Sequence, residues 1–234
     1  AYIDEETVAS DEELAQVIIK LINDIETPIT LSSEQAILKA KAAYENATQS
    51  VKSLVTNSNL LDTYYNEYLR LKAEKELTDY KNTKKNQLKN SVNLNDYSSA
   101  NQAKITDIIN ETLNLIDSST TTVEVDNNIK TATEKIAKIK TIAIEEKELQ
   151  DYRNQYIQKI DDLIASYDVS DAVRKELNTY GDKFKKQIQN ETSYSEINYI
   201  YTRVVATLRE YFENAEIAKN EAKKAIDDYV AELN

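Results

Sequence analysis

The chain has no cysteine, histidine, tryptophan or methionine, and only one glycine (Gly181) and one proline (Pro28). Without cysteine there are no disulfides and no thiol chemistry. Without histidine as well, most zinc sites and the Ser-His and Cys-His nucleophile systems are excluded. A single glycine leaves no phosphate-cradling loop and no dinucleotide fingerprint. Turn-rich β folds need glycine, proline and asparagine-glycine turns in numbers, so this scarcity points to helices joined by few tight turns. No stretch approaches the ~20 apolar residues that span a bilayer, so no membrane insertion is expected. The opening AYIDEETVAS is acidic and lacks the apolar centre of a signal peptide.

Charge, by contrast, is abundant. Charged residues make up 30% of the 234, the formal net charge is −12, and the 41% hydrophobic fraction is enough to fill cores. An acidic balance disfavours the phosphate backbone of nucleic acid and anionic membrane surfaces. The basic island KNTKKNQLK (81–89) reads as a solvated helix face. Carboxylate pairs occur at Glu12/Glu13, Glu145/Glu146, Asp161/Asp162 and Asp227/Asp228. Neighbours on a helix point ~100° apart, so these pairs do not converge on one substrate. No aspartate run has the glycine-bearing spacing of a calcium loop. The expectation is a protein that is not an enzyme, with no catalytic residue, cofactor or metal.

Apolar residues recur at three and four positions through most of the chain, the helical period. Leu14, Val17, Ile18, Leu21, Ile22 and Ile25 form one stripe, which Pro28 interrupts. Ile37, Leu38, Ala40, Tyr44, Val51, Leu54 and Val55 predict a second helix running to TNSN, and a third begins at LLDTYY. Capping boxes are expected at Ser10–Glu13, Ser32–Gln35, Ser99–Gln102, Thr121–Glu124 and Ser193–Glu196. The alternation in TTTVEV (120–125) resembles a strand, but its capping box favours a helix start.

Shifting the chain by 72 residues lays DYKN (79–82) on DYRN (151–154) and exposes an internal repeat. Leu88 then meets Ile160, Val92 meets Ile164, Ile105 meets Leu177, Ile116 meets Ile188, Val125 meets Ile197 and Ile136 meets Leu208. Each unit reads as three helices: 77–93, 98–118 and 122–142, then 147–167, 170–190 and 194–215. Residues 10–76 form a diverged first unit. The expected fold class is all-α: tandem three-helix bundles in a monomeric, spectrin-like rod, with helices of ~35–45 residues shared between units. A kink at KTIAIEE would follow from its weakly helical β-branched residues. The expected division is 1–76, 77–146 and 147–216, with 217–234 a helical extension or the start of a further repeat.

The stretch TLSSEQAILKAKAAYENATQSVKSLVTN resembles a repeat of secreted and wall-attached proteins of Gram-positive gut bacteria. The residues that fit its pattern are Ala36, Ile37, Ala40, Ala43, Tyr44, Val51, Leu54, Val55, Thr56 and Asn57; the loop at Ala47–Gln49 departs from it. NLNDYSSANQAKITDIINETLNLIDSSTTTVEVDNNI resembles a second three-helix repeat of the same proteins. The resemblance implies display outside a bacterial cell. Some modules of that kind bind host immunoglobulin or albumin, and others are stalks.

If the function is recognition, tyrosines outside the core are the candidates, since tyrosine and arginine are enriched at binding hot spots. There are sixteen tyrosines against two phenylalanines. Tyr201 and Tyr211, and Tyr180 with Phe184, fall on the inward stripe. Gly181 either makes room for the flanking rings or kinks the helix. Tyr194 and Tyr199 lie off that stripe and, with Arg203 one turn beyond Tyr199, form the expected exposed patch. In LLDTYYNEYLRL (60–71), Leu61 and Tyr68 lie at the centre of the apolar half, and Tyr64 or Tyr65 at its rim; Tyr65 joins the partner-binding candidates. Three function classes follow: a host-protein-binding module of a bacterial surface protein, a stalk displaying another domain, and an intracellular spectrin-like scaffold.

Overall fold

A computed structural model describes residues 9–232. Most of the acidic opening read as no signal peptide (residues 1–8) lies outside them. The described chain is all-helical: α1 (Asp11–Asn23), α2 (Glu34–Glu45), α3 (Gln49–Leu54), α4 (Ser58–Lys89), α5 (Ser99–Ser118), α6 (Thr122–Ile136), α7 (Ile142–Ser166), α8 (Asp171–Asn190) and α9 (Tyr194–Glu232). Short 3-10 turns precede α2 and α5. The TTTVEV segment opens α6. Among the described residues no helix is long and apolar enough to cross a membrane.

Hydroxyl caps set most helix starts. Ser10 and Glu13 form the expected reciprocal box at 3.2 and 2.9 Å, and Thr121 pairs with Glu124 in the same way. Thr48, Thr141 and Ser170 add caps by accepting from Val51, Ile144 and Val173 N–H groups. Three expected boxes differ. The Ser32–Gln35 box is replaced by Thr30 and Ser33 around the 3-10 turn. Helix α5 begins at Ser99 itself, and the Gln102 amide donates to the Tyr97 carbonyl at 2.9 Å. At Ser193 the hydroxyl accepts from Glu196 N–H, but the Ser193 N–H donates to Glu191 Oε1.

Helix ends are solved without glycine. Among the described residues none has a positive φ, so the left-handed glycine stop is not used. Cationic side chains reach the last carbonyls instead, where they also meet the negative end of the helix dipole. Arg174 donates to the carbonyls of Ile164 and Tyr167 at 3.0 and 2.6 Å, at the end of α7. Arg153 donates to Glu191 O after α8 at 2.7 Å, Lys52 to Glu45 O at the end of α2, and Lys81 to Asp117 O near the end of α5.

The chain divides into two compact units, one of residues 1–93 with 104–137 and the other of 94–103 with 138–234. The first holds two hydrophobic clusters. One gathers Ile18, Ile22, Ile37, Ala40, Val51, Leu61 and Tyr68; the other gathers Leu88, Ile116, Val125 and Ala132. Helix α4 contributes to both, unbroken over 32 residues. In the second unit α7, α8 and α9 close on Ile160, Ile164, Leu177, Ile188, Ile197, Val204 and Leu208. The repeat register is visible in burial. Leu88/Ile160, Ile105/Leu177, Ile116/Ile188, Val125/Ile197 and Ile136/Leu208 are all buried in both copies. Val92 is the exception: it falls in the loop after α4 and is only half-buried.

Three helix readings are corrected. The expected helix through Val55 is broken into α2 and α3 at Asn46–Thr48, where the Thr48 hydroxyl competes for backbone and starts a new helix. The expected helix through KTIAIEE is not merely kinked. It stops at Ile136 and restarts at Ile142 on the Thr141 cap. On α1 the buried file is Ala15, Ile18 and Ile22, continued by Ile25, while Leu14 and Val17 are exposed.

Gly181 is buried on α8, and its role differs from the expected one. A Cβ built there would lie 2.6 Å from Ile164 Cδ1 and 3.3 Å from Ile160 Cγ2. The missing side chain makes room for α7's isoleucines rather than for the flanking rings. Tyr180 stands beside it 37% exposed, while Phe184 packs against the core.

Three stability outcomes follow. Gly181→Val lowers the unfolding free energy by about 1–3 kcal/mol through overpacking. Gly181→Ala stays near zero, because ~1 kcal/mol of helix propensity offsets the displaced Ile164 methyl. Arg174→Met costs about 1.5–3 kcal/mol, the range for hydrogen bonds made by a charged donor. Urea titration followed by circular dichroism reads all three.

Candidate interaction surface

Helix α9 starts at Tyr194, after a loop in which the Glu191 carboxylate accepts from the Thr192 and Ser193 N–H groups at 2.9 and 3.3 Å. This places Tyr194 at the first turn, against α7. Its ring meets Tyr152 edge-on at 4.8 Å between centroids; Tyr152 leans on Tyr156 at 4.6 Å, and Tyr156 meets Tyr201 edge-on at 5.2 Å. The hydroxyls run along the same line. Tyr152 donates to Tyr156 at 3.1 Å, and Tyr156 donates to Asn198 Oδ1 at 3.2 Å. Lys159 Nζ lies 4.0 Å from the Tyr156 centroid and 5.8 Å from that of Tyr201.

Tyr194 also lines a groove of about 390 Å³ with Leu149, Thr192, Lys140, Glu145, Glu146 and Glu148. Lys140 pairs with Glu148 at 2.6 Å. That bond raises the lysine's pKa above its ordinary value. The lysine of the groove is therefore already paired within the chain.

The expected patch of Tyr194, Tyr199 and Arg203 is not a single surface. Five residues on a helix turn through ~140°, and nine through ~180°. Tyr194 faces the α7 tyrosines. Tyr199 and Arg203 share another face of α9, with the guanidinium carbon 5.9 Å from the ring centroid. Tyr199 is 58% exposed and Tyr194 45%. Tyr201 and Tyr211 pack half-buried against the core, as their stripe predicts.

In the first unit, Leu61 and Tyr68 are buried, and Tyr64 and Tyr65 sit half-buried at the rim, as the helical wheel predicts. Tyr65 is not bare: Lys41 Nζ covers it at 4.6 Å from the centroid while pairing with Glu45 at 2.7 Å. The Tyr68 hydroxyl donates to Glu34, and Lys72 lies 3.6 Å from the same carboxylate. The Tyr68 hydrogen bond holds Glu34 below the ordinary carboxylate pKa and pushes Tyr68 above the ordinary phenol value.

The sequence reading missed a pattern common to these sites. A cation stands one helical turn after a tyrosine and over its ring in Tyr68/Lys72, Tyr80/Lys84, Tyr156/Lys159, Tyr180/Lys183 and Tyr199/Arg203. The signal was present as tyrosine followed three or four residues later by lysine or arginine, the spacing at which helical side chains meet. Among the described residues no three carboxylates converge as a metal ion would need.

The Tyr68–Glu34 bond gives a pH-dependent outcome. A lowered Glu34 pKa stabilises above the unfolded value of 4.5 and is lost as pH falls through the folded value. A raised Tyr68 pKa stabilises below the unfolded value of 10.0 and is lost as pH rises through the folded value. Tyr68→Phe therefore lowers Tm between about pH 5 and 10, and the gap from wild type narrows at both ends. Thermal melts across that range check it.

The chain matches no family model, no curated protein and no solved structure.

Proposed function

We propose that the chain is a non-enzymatic module of a bacterial surface protein, made of tandem three-helix bundles, that binds a protein of the host. Immunoglobulin and albumin are the first ligands to test. The observation that carries recognition is Tyr199 with Arg203. This ring is 58% exposed, with a guanidinium beside it on an outward face of α9. Both residue types dominate binding hot spots, and a pre-assembled pair loses little side-chain freedom on docking. The absence of histidine and cysteine supports a role without catalysis. Extracellular display rests on the sequence resemblance.

A spacer that displays another domain is the second reading. Helix α4 favours it: one unbroken helix of 32 residues supplies Leu61 and Tyr68 to one core and Leu88 to another. Such continuity transmits orientation between successive bundles better than a flexible linker would.

Serum passed over the immobilised protein separates these readings. The binding reading predicts retention of a serum protein. Tyr199→Ala with Arg203→Ala then weakens the Kd at least tenfold with unchanged helicity. No retained protein, or equal retention by the double variant, contradicts it.

A further inference from the structure

The segment ELTDY (76–80) recurs 72 residues on as ELQDY (148–152), and a shorter match, AIDDY (225–229), keeps the Asp-Tyr pair with Ile226 in the leucine position, 77 residues further along. In the first two copies the tyrosine packs against the core of its own bundle. In α4, Tyr80 packs against the Leu88 cluster, and its hydroxyl donates to both Asp126 oxygens at 2.7 and 2.8 Å. In α7, Leu149 and Tyr152 pack against the Ile160 cluster. In each case the helices that cover the motif are the next two in the chain, α5 and α6 for the first, α8 and α9 for the second.

The third copy has no such cover. Helix α9 leaves its core after Leu208, Tyr211 and Phe212, yet continues to Glu232. Every residue from 217 to 231 is exposed, with Ile226 and Tyr229 each at 63%. Ala218, Ala222, Ala225, Ile226 and Tyr229 nonetheless keep the helical apolar spacing of a face built for burial. An isolated stretch of this length is marginally helical in water, so an apolar stripe on it gains stability only when covered.

We propose that residues 217–232 are the first helix of a further unit of the same build, and that their apolar face is covered by two helices that follow in the same polypeptide. The two internal precedents fix the source: in both, the covering pair comes immediately C-terminal to the motif. The proposal rests on the tandem-bundle reading given above.

Amide exchange of two proteins tests it: the present chain, and that chain extended by the roughly 50 residues after Asn234 in its reading frame, about the length that carries α5 and α6. In the present chain the amides of 217–232 exchange at least ~100-fold faster than those of 197–208. In the extended chain they slow to match, and Ile226→Asp with Tyr229→Ala reverses the slowing while leaving the melt of the present chain unchanged. Three results overturn the proposal. One is an extension that confers no protection. Another is a reading frame that ends within about 20 residues, too short for two helices. The last is a concentration-dependent dimer of the present chain that Tyr229→Ala abolishes, which assigns the face to a second copy. An internal control guards the underlying reading: Ile116→Ala must speed exchange at 77–88. If it does not, the motif is not a unit-opening helix even where its cover is known, and the tandem reading fails with the proposal.

Discussion

Each helix of this highly charged chain buries one narrow file of side chains, mostly isoleucine, leucine and valine, and this file governs where the other residues go. On α8 the fully buried positions are Leu177 and Ile188, with Gly181 between them. On α9 they are Ile197, Val204 and Leu208. A core this narrow tolerates little change of volume, because interiors pack at crystal-like density. Gly181 shows the constraint most sharply. The close approach of α7 leaves the Ile164 methyl where a Cβ would stand.

Tyrosines flank that file. Their rings continue the apolar face while their hydroxyls reach water or a polar partner, as in Tyr156 to Asn198 and Tyr80 to Asp126. Lysines one turn away close over the outer ring faces. Several of the tyrosine rings are thereby covered by the chain's own cations. This links packing to function. High exposure and an adjacent arginine coincide at Tyr199 rather than in the tyrosine-dense stretch at 60–71, which is why the proposed recognition site is placed there.

The sequence made the helices and much of their register legible because both are local. Hydroxyl caps lie within three residues of the groups they satisfy, and the 72-residue shift aligned positions that are buried in both copies. What it did not show depends on neighbours distant in sequence. Leu14 and Val17 fit α1's apolar period as well as Ala15 does, and only the direction of α2 and α3 decides which side is buried. The partner of Gly181 lies on α7, distant in sequence, whereas the local pattern points only to the flanking rings. The breaks at 46–48 and 137–141 carry no glycine or proline. They are set by Thr48 and Thr141 turning from helix residues into caps. The candidate patch divided because Tyr194 and Tyr199 are close in number but ~140° apart around the helix.

Each core is a local structure built by its own helices. Residue-resolved amide exchange of Ile160→Ala tests it most directly. The expected result is a loss of about 2–5 kcal/mol of protection in α7, α8 and the first half of α9, with α1–α3 unchanged. A uniform loss across α1–α3 and α7–α9 would contradict it.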